Sequence, residues 1–119
     1  MRYLCLIYSE EKMWQTMPRP ELEEMYGQYF AFTEDIKSSG HYIGGNPLQP
    51  TSTATTVRVR DGRLCTTDGP FAETREQLGG YYLVEAGDLN EAIQVASRIP
   101  GARVGSIEVR PIQEVMAPA

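Results

Sequence analysis

A stretch of helical periodicity that begins at Pro20 places the strongest constraint on how this chain folds. Apolar side chains recur there at steps of three and four residues: Leu22, Met25, Tyr29, Phe32 and Ile36. This spacing gives a helix one apolar face that must pack against another layer. Pro20 suits the first helical position and Gly40 a helix end. The pattern therefore predicts an amphipathic helix that ends at Gly40.

A second helix is bounded by signals at both ends. Asp88 and Glu91 have the spacing of a capping box, and Pro100-Gly101 closes the segment. Strand-like apolar runs surround the two helices at residues 3–8, 41–43, 80–85 and 106–112. The order strand, helix, strand, strand, helix, strand predicts an α+β, ferredoxin-like βαββαβ fold. Residues 10–19 follow neither period, and we expect a loop there.

A β-hairpin is predicted as an insertion between the second and third of these strands. Val57 and Val59 alternate with Arg58 and Arg60, and Asp61-Gly62 is a strong turn signal. We expect the valines to face the core and the arginines to share the opposite face of their strand.

The strands at residues 3–8 and 80–85 are apolar on both faces, which is typical of strands that are covered on both sides. Two helices cover only one face of a ferredoxin-like sheet. A second copy of the chain, packed sheet against sheet, is the simplest cover for the other face. We therefore expect a homodimer that forms a dimeric α+β barrel, with residues 1–119 as one domain and a loose tail.

Composition limits the partners and the compartment. A net charge of −5 supplies no general basic face for phosphates, which argues against nucleic-acid binding. The N-terminal apolar run is too short for a signal peptide or a membrane span, so no membrane partner is expected. Cys5 and Cys65 lie sixty residues apart without a C-x-x-C pair, which predicts two free core thiols and a reducing, cytoplasmic location.

A charged and shaped loop follows the predicted hairpin. It reads Asp68-Gly69-Pro70-Phe71-Ala72-Glu73-Thr74-Arg75-Glu76 and reaches an apolar strand through Gly79-Gly80. Gly69 and Pro70 predict a tight turn, and Phe71 is predicted to anchor the loop. Three carboxylates and an arginine within nine residues indicate more than a linker.

This loop, continued by Gln77-Leu78-Gly79-Gly80-Tyr81-Tyr82-Leu83-Val84-Glu85, resembles the signature of the DGPF branch of YCII-related proteins. The resemblance spans nearly the whole chain and includes Gly40-His41-Tyr42-Ile43-Gly44-Gly45, Leu48-Gln49-Pro50, Thr53-Ala54-Thr55-Thr56-Val57-Arg58 and Ser106-Ile107-Glu108-Val109-Arg110-Pro111. It implies a dimeric α+β barrel with a sheet-side cavity for small molecules, often aromatic or ring compounds. Other members tend to carry a histidine near the start of the first helix, where this chain has Arg19-Pro20-Glu21.

Acid–base chemistry would have to use His41, the only histidine in the chain. A histidine beside a carboxylate such as Asp68 or Glu73 forms a general acid/base pair that titrates near neutral pH. The alternatives are a hydrogen-bonded structural histidine, an Asp68 that fixes its own turn, and a Glu73 on a solvated face.

Ligand-binding candidates come from other segments. Arg58 can bind a substrate carboxylate bidentately, with solvent exposure as the alternative. Trp14, Tyr81 and Tyr82 are candidates for an aromatic substrate-binding pocket, although aromatic residues of a buried strand also form cores or dimer interfaces. Phe71 is a further substrate-binding candidate. No cofactor fingerprint, phosphate loop or metal-ligand cluster is found, so no cofactor and no metal are predicted.

Three functions fit this pattern. The first is a cofactor-independent isomerase or lyase that moves a proton on a small ring or carbonyl compound. The second is a non-catalytic ligand-binding or accessory module, because DGPF-type proteins resemble partners of extracytoplasmic-function sigma factors in gene organisation. The third makes the Asp68 loop a brace between two copies of the chain.

Overall fold

The computed structural model describes residues 1–118 and contains six strands, three helices and two short 3-10 turns. The strands are β1 (Arg2–Ser9), β2 (Tyr42–Pro47), β3 (Thr55–Arg60), β4 (Arg63–Asp68), β5 (Gln77–Glu85) and β6 (Ser106–Pro111). The helices are α1 (Glu11–Thr16), α2 (Arg19–Ser38) and α3 (Leu89–Ser97), and the 3-10 turns are Thr51–Thr53 and Pro100–Arg103.

Four strands form an antiparallel sheet in the order β2, β5, β1, β6. Without the β3–β4 hairpin, the element order and strand order are those of the ferredoxin-like fold. The predicted α+β, ferredoxin-like architecture is confirmed. In β1 the side chains alternate strictly, so that Tyr3, Cys5, Ile7 and Ser9 are buried on one face.

The core lies between that face of the sheet and helices α2 and α3. Its largest fully buried side chains are Ile36, Ile99, Val84, Val95 and Cys5. Helix α3 begins as predicted, because the Asp88 carboxylate accepts a hydrogen bond from the Glu91 backbone N–H at 2.8 Å. The Glu91 carboxylate in turn accepts from the backbone N–H of Gly87.

The inserted hairpin forms a separate two-stranded sheet, and its turn is the predicted one. Asp61 and Gly62 have φ values of 52° and 72°, the pair of left-handed residues that a two-residue hairpin turn requires. The expectation that Val57 and Val59 face the core is wrong: they are 60% and 61% exposed. Their strand pairs only with β4, and no second layer covers it.

Three further expectations are corrected. Residues 10–19 are not a loop, since α1 occupies Glu11–Thr16. Cys65 is not a core thiol, because it lies on the uncovered hairpin and is exposed, whereas Cys5 is buried. Phe71 does not anchor its loop within one chain, because its side chain is 80% exposed.

The hairpin gives the chain a flat and extended outline of 49 × 48 × 19 Å. The second face of the four-stranded sheet carries Leu4, Leu6 and Tyr8 of β1 together with Tyr81 and Leu83 of β5, all of them half-buried. No helix within residues 1–118 combines the length and the apolar character needed to cross a membrane.

Candidate functional site

A cavity of about 450 Å³ lies between α2 and the helix-facing side of the sheet. Residues of β1, β2 and β5 line it from the sheet, and residues of α1 and of the segment 48–50 complete the lining. A volume of this size is typical of sites for small organic molecules. Six aromatic residues line it, namely Trp14, Tyr26, Tyr29, Tyr42, Tyr81 and Tyr82, of which Tyr81 carries its side chain on the opposite face of the sheet.

One wall of the cavity is an aromatic cluster that joins two helices. The Trp14 ring stacks on Tyr26 with centroids 6.3 Å apart and planes at 19°, and lies 6.4 Å from the Tyr29 ring. Tyr26 and Tyr29 are three residues apart on α2, which places them on neighbouring positions of one helix surface. Apolar ring faces therefore line this wall and favour a flat, apolar guest.

Ser9 is the most buried polar side chain of the cavity. It lies at the end of β1, is 5% exposed, and its Oγ accepts a hydrogen bond from Trp14 Nε1 at 2.9 Å. This bond fixes the indole against the strand end. The Ser9 hydroxyl proton donates to no atom of residues 1–118.

A hydroxyl pair forms a second polar point. Thr33 Oγ1 donates to the Tyr29 carbonyl oxygen at 2.8 Å, and Tyr82 Oη lies 2.7 Å from Thr33 Oγ1. Because the single Thr33 proton is used within the helix, Tyr82 must donate to Thr33. The Tyr82 oxygen is therefore left as an acceptor beside the cavity.

Two of these tyrosines hold their protons more strongly than usual. Burial raises the pKa of Tyr29 to about 12, although a hydrogen bond from the Gly101 backbone acts to lower this pKa. Burial also raises the pKa of Tyr82. Both groups are thus neutral hydrogen-bonding phenols near neutral pH rather than bases.

Gly101 is needed for the position of Tyr29. A Cβ at this residue would lie 2.5 Å from the Tyr29 hydroxyl oxygen and 3.1 Å from Ile7 Cγ2. Any larger residue would displace a side chain that lines the cavity.

Glu11 is the only charged residue among the cavity-lining residues of the described chain. Its carboxylate accepts from the Thr51 backbone N–H at 2.6 Å and from Thr51 Oγ1 at 2.9 Å. Its backbone N–H donates to Gln77 Oε1 at 3.0 Å. These bonds tie α1 to both neighbouring segments at the cavity mouth.

Two of the sequence-predicted site residues, Trp14 and Tyr81, are among the lining residues, although the Tyr81 side chain lies on the opposite face of the sheet. His41 does not line the cavity. Its Nδ1 lies 2.7 Å from Ser39 Oγ, and its Nε2 lies 3.9 Å from a carboxylate oxygen of Glu91, at the other end of β2.

The remaining candidates belong to the hairpin and the loop after it. Arg58, Asp68, Phe71 and Glu73 are all exposed, and none of them lines the cavity. No hydrogen bond or ion pair of the described residues joins His41 to Asp68. Their catalytic pairing stays a prediction.

The sequence reasoning missed Ser9, Glu11 and Thr33 as cavity residues. One of them had a usable signal, because Thr33 follows Tyr29 by four residues and so shares its helix face. The others depend on where α1 docks, which no local pattern encodes. Within residues 1–118, no group of three or more His, Cys, Asp or Glu side chains lies close enough to hold a metal ion.

The ferredoxin-like sheet and the cavity lined by aromatic rings beside it place this protein in a class of small α+β proteins. Within that class this chain belongs to the YCII-related family, whose domain model matches residues 1–116. An uncharacterised protein of Rhizobium meliloti is 35% identical over 114 residues, which cover 94% of this chain and 92% of that protein.

A solved structure of similar fold is the 5-chloro-2-hydroxyhydroquinone dehydrochlorinase of Burkholderia phenoliruptrix AC1100, in complex with 2,5-dihydroxybenzoquinone. Its TM-score is 0.56 with 14% identity, and the match covers 97% of this chain and 96% of that one. At this identity the likeness shows the fold alone.

Proposed function

We propose that this protein binds a small planar ring compound in the aromatic cavity. The observation that carries the proposal is the cavity itself: about 450 Å³, lined by the aromatic residues Trp14, Tyr26, Tyr29, Tyr42 and Tyr82 with only a few polar groups. Concave apolar sites with a small number of placed polar atoms are typical of small-molecule binding. The solved structure of similar fold contains a ring compound, which supports the same class of ligand.

Catalysis is a second candidate function, as a cofactor-independent isomerase or lyase that moves a proton on the bound ring. Its support is the fold shared with a dehydrochlorinase. The proposed acid/base residues remain His41 with Asp68 or Glu73, and Arg58 and Phe71 remain proposed substrate contacts. These residues would have to approach a cavity from a second copy of the chain.

A homodimer belongs to this proposal. Leu4, Leu6, Tyr8, Tyr81 and Leu83 form an apolar sheet face that no element of the described chain covers. The hairpin adds exposed apolar side chains, including Leu64 at 71% exposure. Both surfaces are of the kind that a second copy buries in a symmetric assembly.

The binding proposal is tested by titrating neutral ring compounds and following backbone amide chemical shifts. Trp14→Ala removes one aromatic wall and should weaken binding about tenfold, the effect of losing an aromatic contact and its buried area. Phe30→Ala is the matched control, because Phe30 is 70% exposed and lies outside the cavity lining. Equal affinities of the wild type and the Trp14 variant would contradict the proposal.

The catalytic candidate needs a separate test once a substrate that turns over is known. His41→Ala and Asp68→Asn should each lower kcat by about a hundredfold or more if these side chains act in proton transfer. Unchanged turnover in both variants would remove them from the mechanism without touching the binding proposal.

A further inference from the structure

Among the polar groups of the cavity, Ser9 is the most buried one whose hydrogen-bonding capacity is incomplete. Ser9 Oγ accepts from Trp14 Nε1 at 2.9 Å, which uses one lone pair. A serine hydroxyl also carries one proton to donate. No atom of residues 1–118 accepts this proton, although the side chain is only 5% exposed.

Buried donors without an acceptor are rare in folded proteins, since each costs free energy unless a ligand or an ordered water satisfies it. Ser9 and its partner Trp14 both line the cavity, so a guest there can supply the acceptor that the Ser9 proton lacks. The proton is therefore presented to whatever fills the cavity.

The charge of the lining restricts the guest further. Glu11 is the only charged lining residue within the part of the chain described, and both its oxygens already accept bonds from Thr51. Tyr29 and Tyr82 keep their protons, so they add no charge of either sign. An anionic guest would meet one carboxylate and no cation, at a desolvation cost that nothing offsets.

We propose that the ligand is an uncharged planar ring compound bearing a hydrogen-bond acceptor, and that Ser9 is the residue that donates to this acceptor. This inference rests on the proposed ligand-binding function and deepens it. It differs from the sequence-based expectation that Arg58 holds an anionic group, because Arg58 lies outside the lining.

Three probes of similar shape test separately whether the ligand needs a hydrogen-bond acceptor and whether it must be uncharged. Acetophenone is a neutral ring with a carbonyl acceptor, α-methylstyrene replaces the carbonyl oxygen by a methylene group, and benzoate is anionic. Binding of each is measured by backbone amide chemical shifts in the wild type and in Ser9→Ala. Ser52→Ala is the control, since Ser52 is exposed and outside the lining.

Ser9→Ala should weaken acetophenone binding about fivefold and α-methylstyrene binding less than twofold, because only the first loses a hydrogen bond. A merely structural role through Trp14 would weaken both probes equally. Benzoate should bind the wild type at least about tenfold more weakly than acetophenone. Ser9→Cys provides a second variant of similar volume with a weaker donor, should the alanine variant fail to fold.

Several results would overturn the proposal. Equal losses for acetophenone and α-methylstyrene, or no loss for either, would remove Ser9 as the donor. Benzoate affinity equal to that of acetophenone would refute an uncharged ligand while leaving ring binding intact. If the wild type bound none of the three probes, the proposed binding function would be refuted as well.

Discussion

Cys5 is the residue whose chemistry most directly reports the core. It is fully buried against the helices, and burial raises the pKa of its thiol from the ordinary 9.0 to about 11. The thiol of the unfolded chain ionises first as pH rises, while the folded chain keeps its proton. Stability from this group is therefore fully present below pH 9 and is lost as pH rises towards 11.

We predict that the free energy of unfolding falls by about 2 kcal/mol between pH 9 and pH 11 because of Cys5 alone. Urea unfolding of the wild type and of Cys5→Val at several pH values measures this slope. In Cys5→Val, the free energy of unfolding should fall less steeply with pH, because the contribution of the Cys5 thiol is gone. Cys65→Ser is the matched control, because Cys65 is exposed. Parallel slopes in the wild type and Cys5→Val would contradict the assignment.

At the scale of elements, a glycine inside α2 and another just after its end are expected to affect stability in opposite directions. Gly27 lies inside the helix with nothing within 4 Å of an added Cβ. Gly40 follows the helix end with φ of 80°, a conformation that favours glycine.

Gly27→Ala should raise the free energy of unfolding by about 1 kcal/mol, since alanine loses less conformational freedom in a helix. Gly40→Ala should lower it by about 1 kcal/mol because of its positive φ. Thermal and urea unfolding of the two variants measure both effects. A loss of stability in Gly27→Ala would show that this face of α2 packs against something beyond the described chain.

The elements also show how far sequence alone reaches. The spacing of Leu22 to Ile36 predicted α2, and the Asp88 cap predicted the start of α3, because both depend on local periodicity and local hydrogen bonds. Helix α1 was missed since it has six residues and its bonds reach Thr51 and Gln77, far along the chain.

The candidate site was predicted less well than the fold. The expected aromatic pocket of Trp14, Tyr81 and Tyr82 stays a prediction, and all three residues are among those that line the cavity. Ser9 was not found, because its burial depends on the docking of Trp14, which is itself a consequence of α1. The alternation of Val57 with Arg58 was visible, but the sequence does not say whether a hairpin has a second layer.

At the scale of the whole molecule, the uncovered sheet face and the flat outline predict a concentration-dependent assembly. We predict a homodimer in solution by light scattering coupled to size exclusion. Leu6→Arg places a charge in the centre of the sheet face and should give a monomer, because burying an unpaired charge is costly. Leu89→Arg is the control, since Leu89 is 49% exposed on α3.

Phe71→Ala tests whether the loop after the hairpin contributes to the same assembly. If Phe71 braces the second copy, its truncation should weaken the dimer by about 3 kcal/mol, as for a buried aromatic. A monomeric wild type would contradict the dimer, and an unchanged dimer in Phe71→Ala would remove the loop from its interface.

A crystal structure of the protein grown with acetophenone tests most directly the central claim that the aromatic cavity is the ligand site. The ring is predicted to lie among Trp14, Tyr29 and Tyr82, with its carbonyl oxygen within about 3 Å of Ser9 Oγ. A ring bound instead beside His41 or the loop at Asp68, with the cavity empty, would contradict the account.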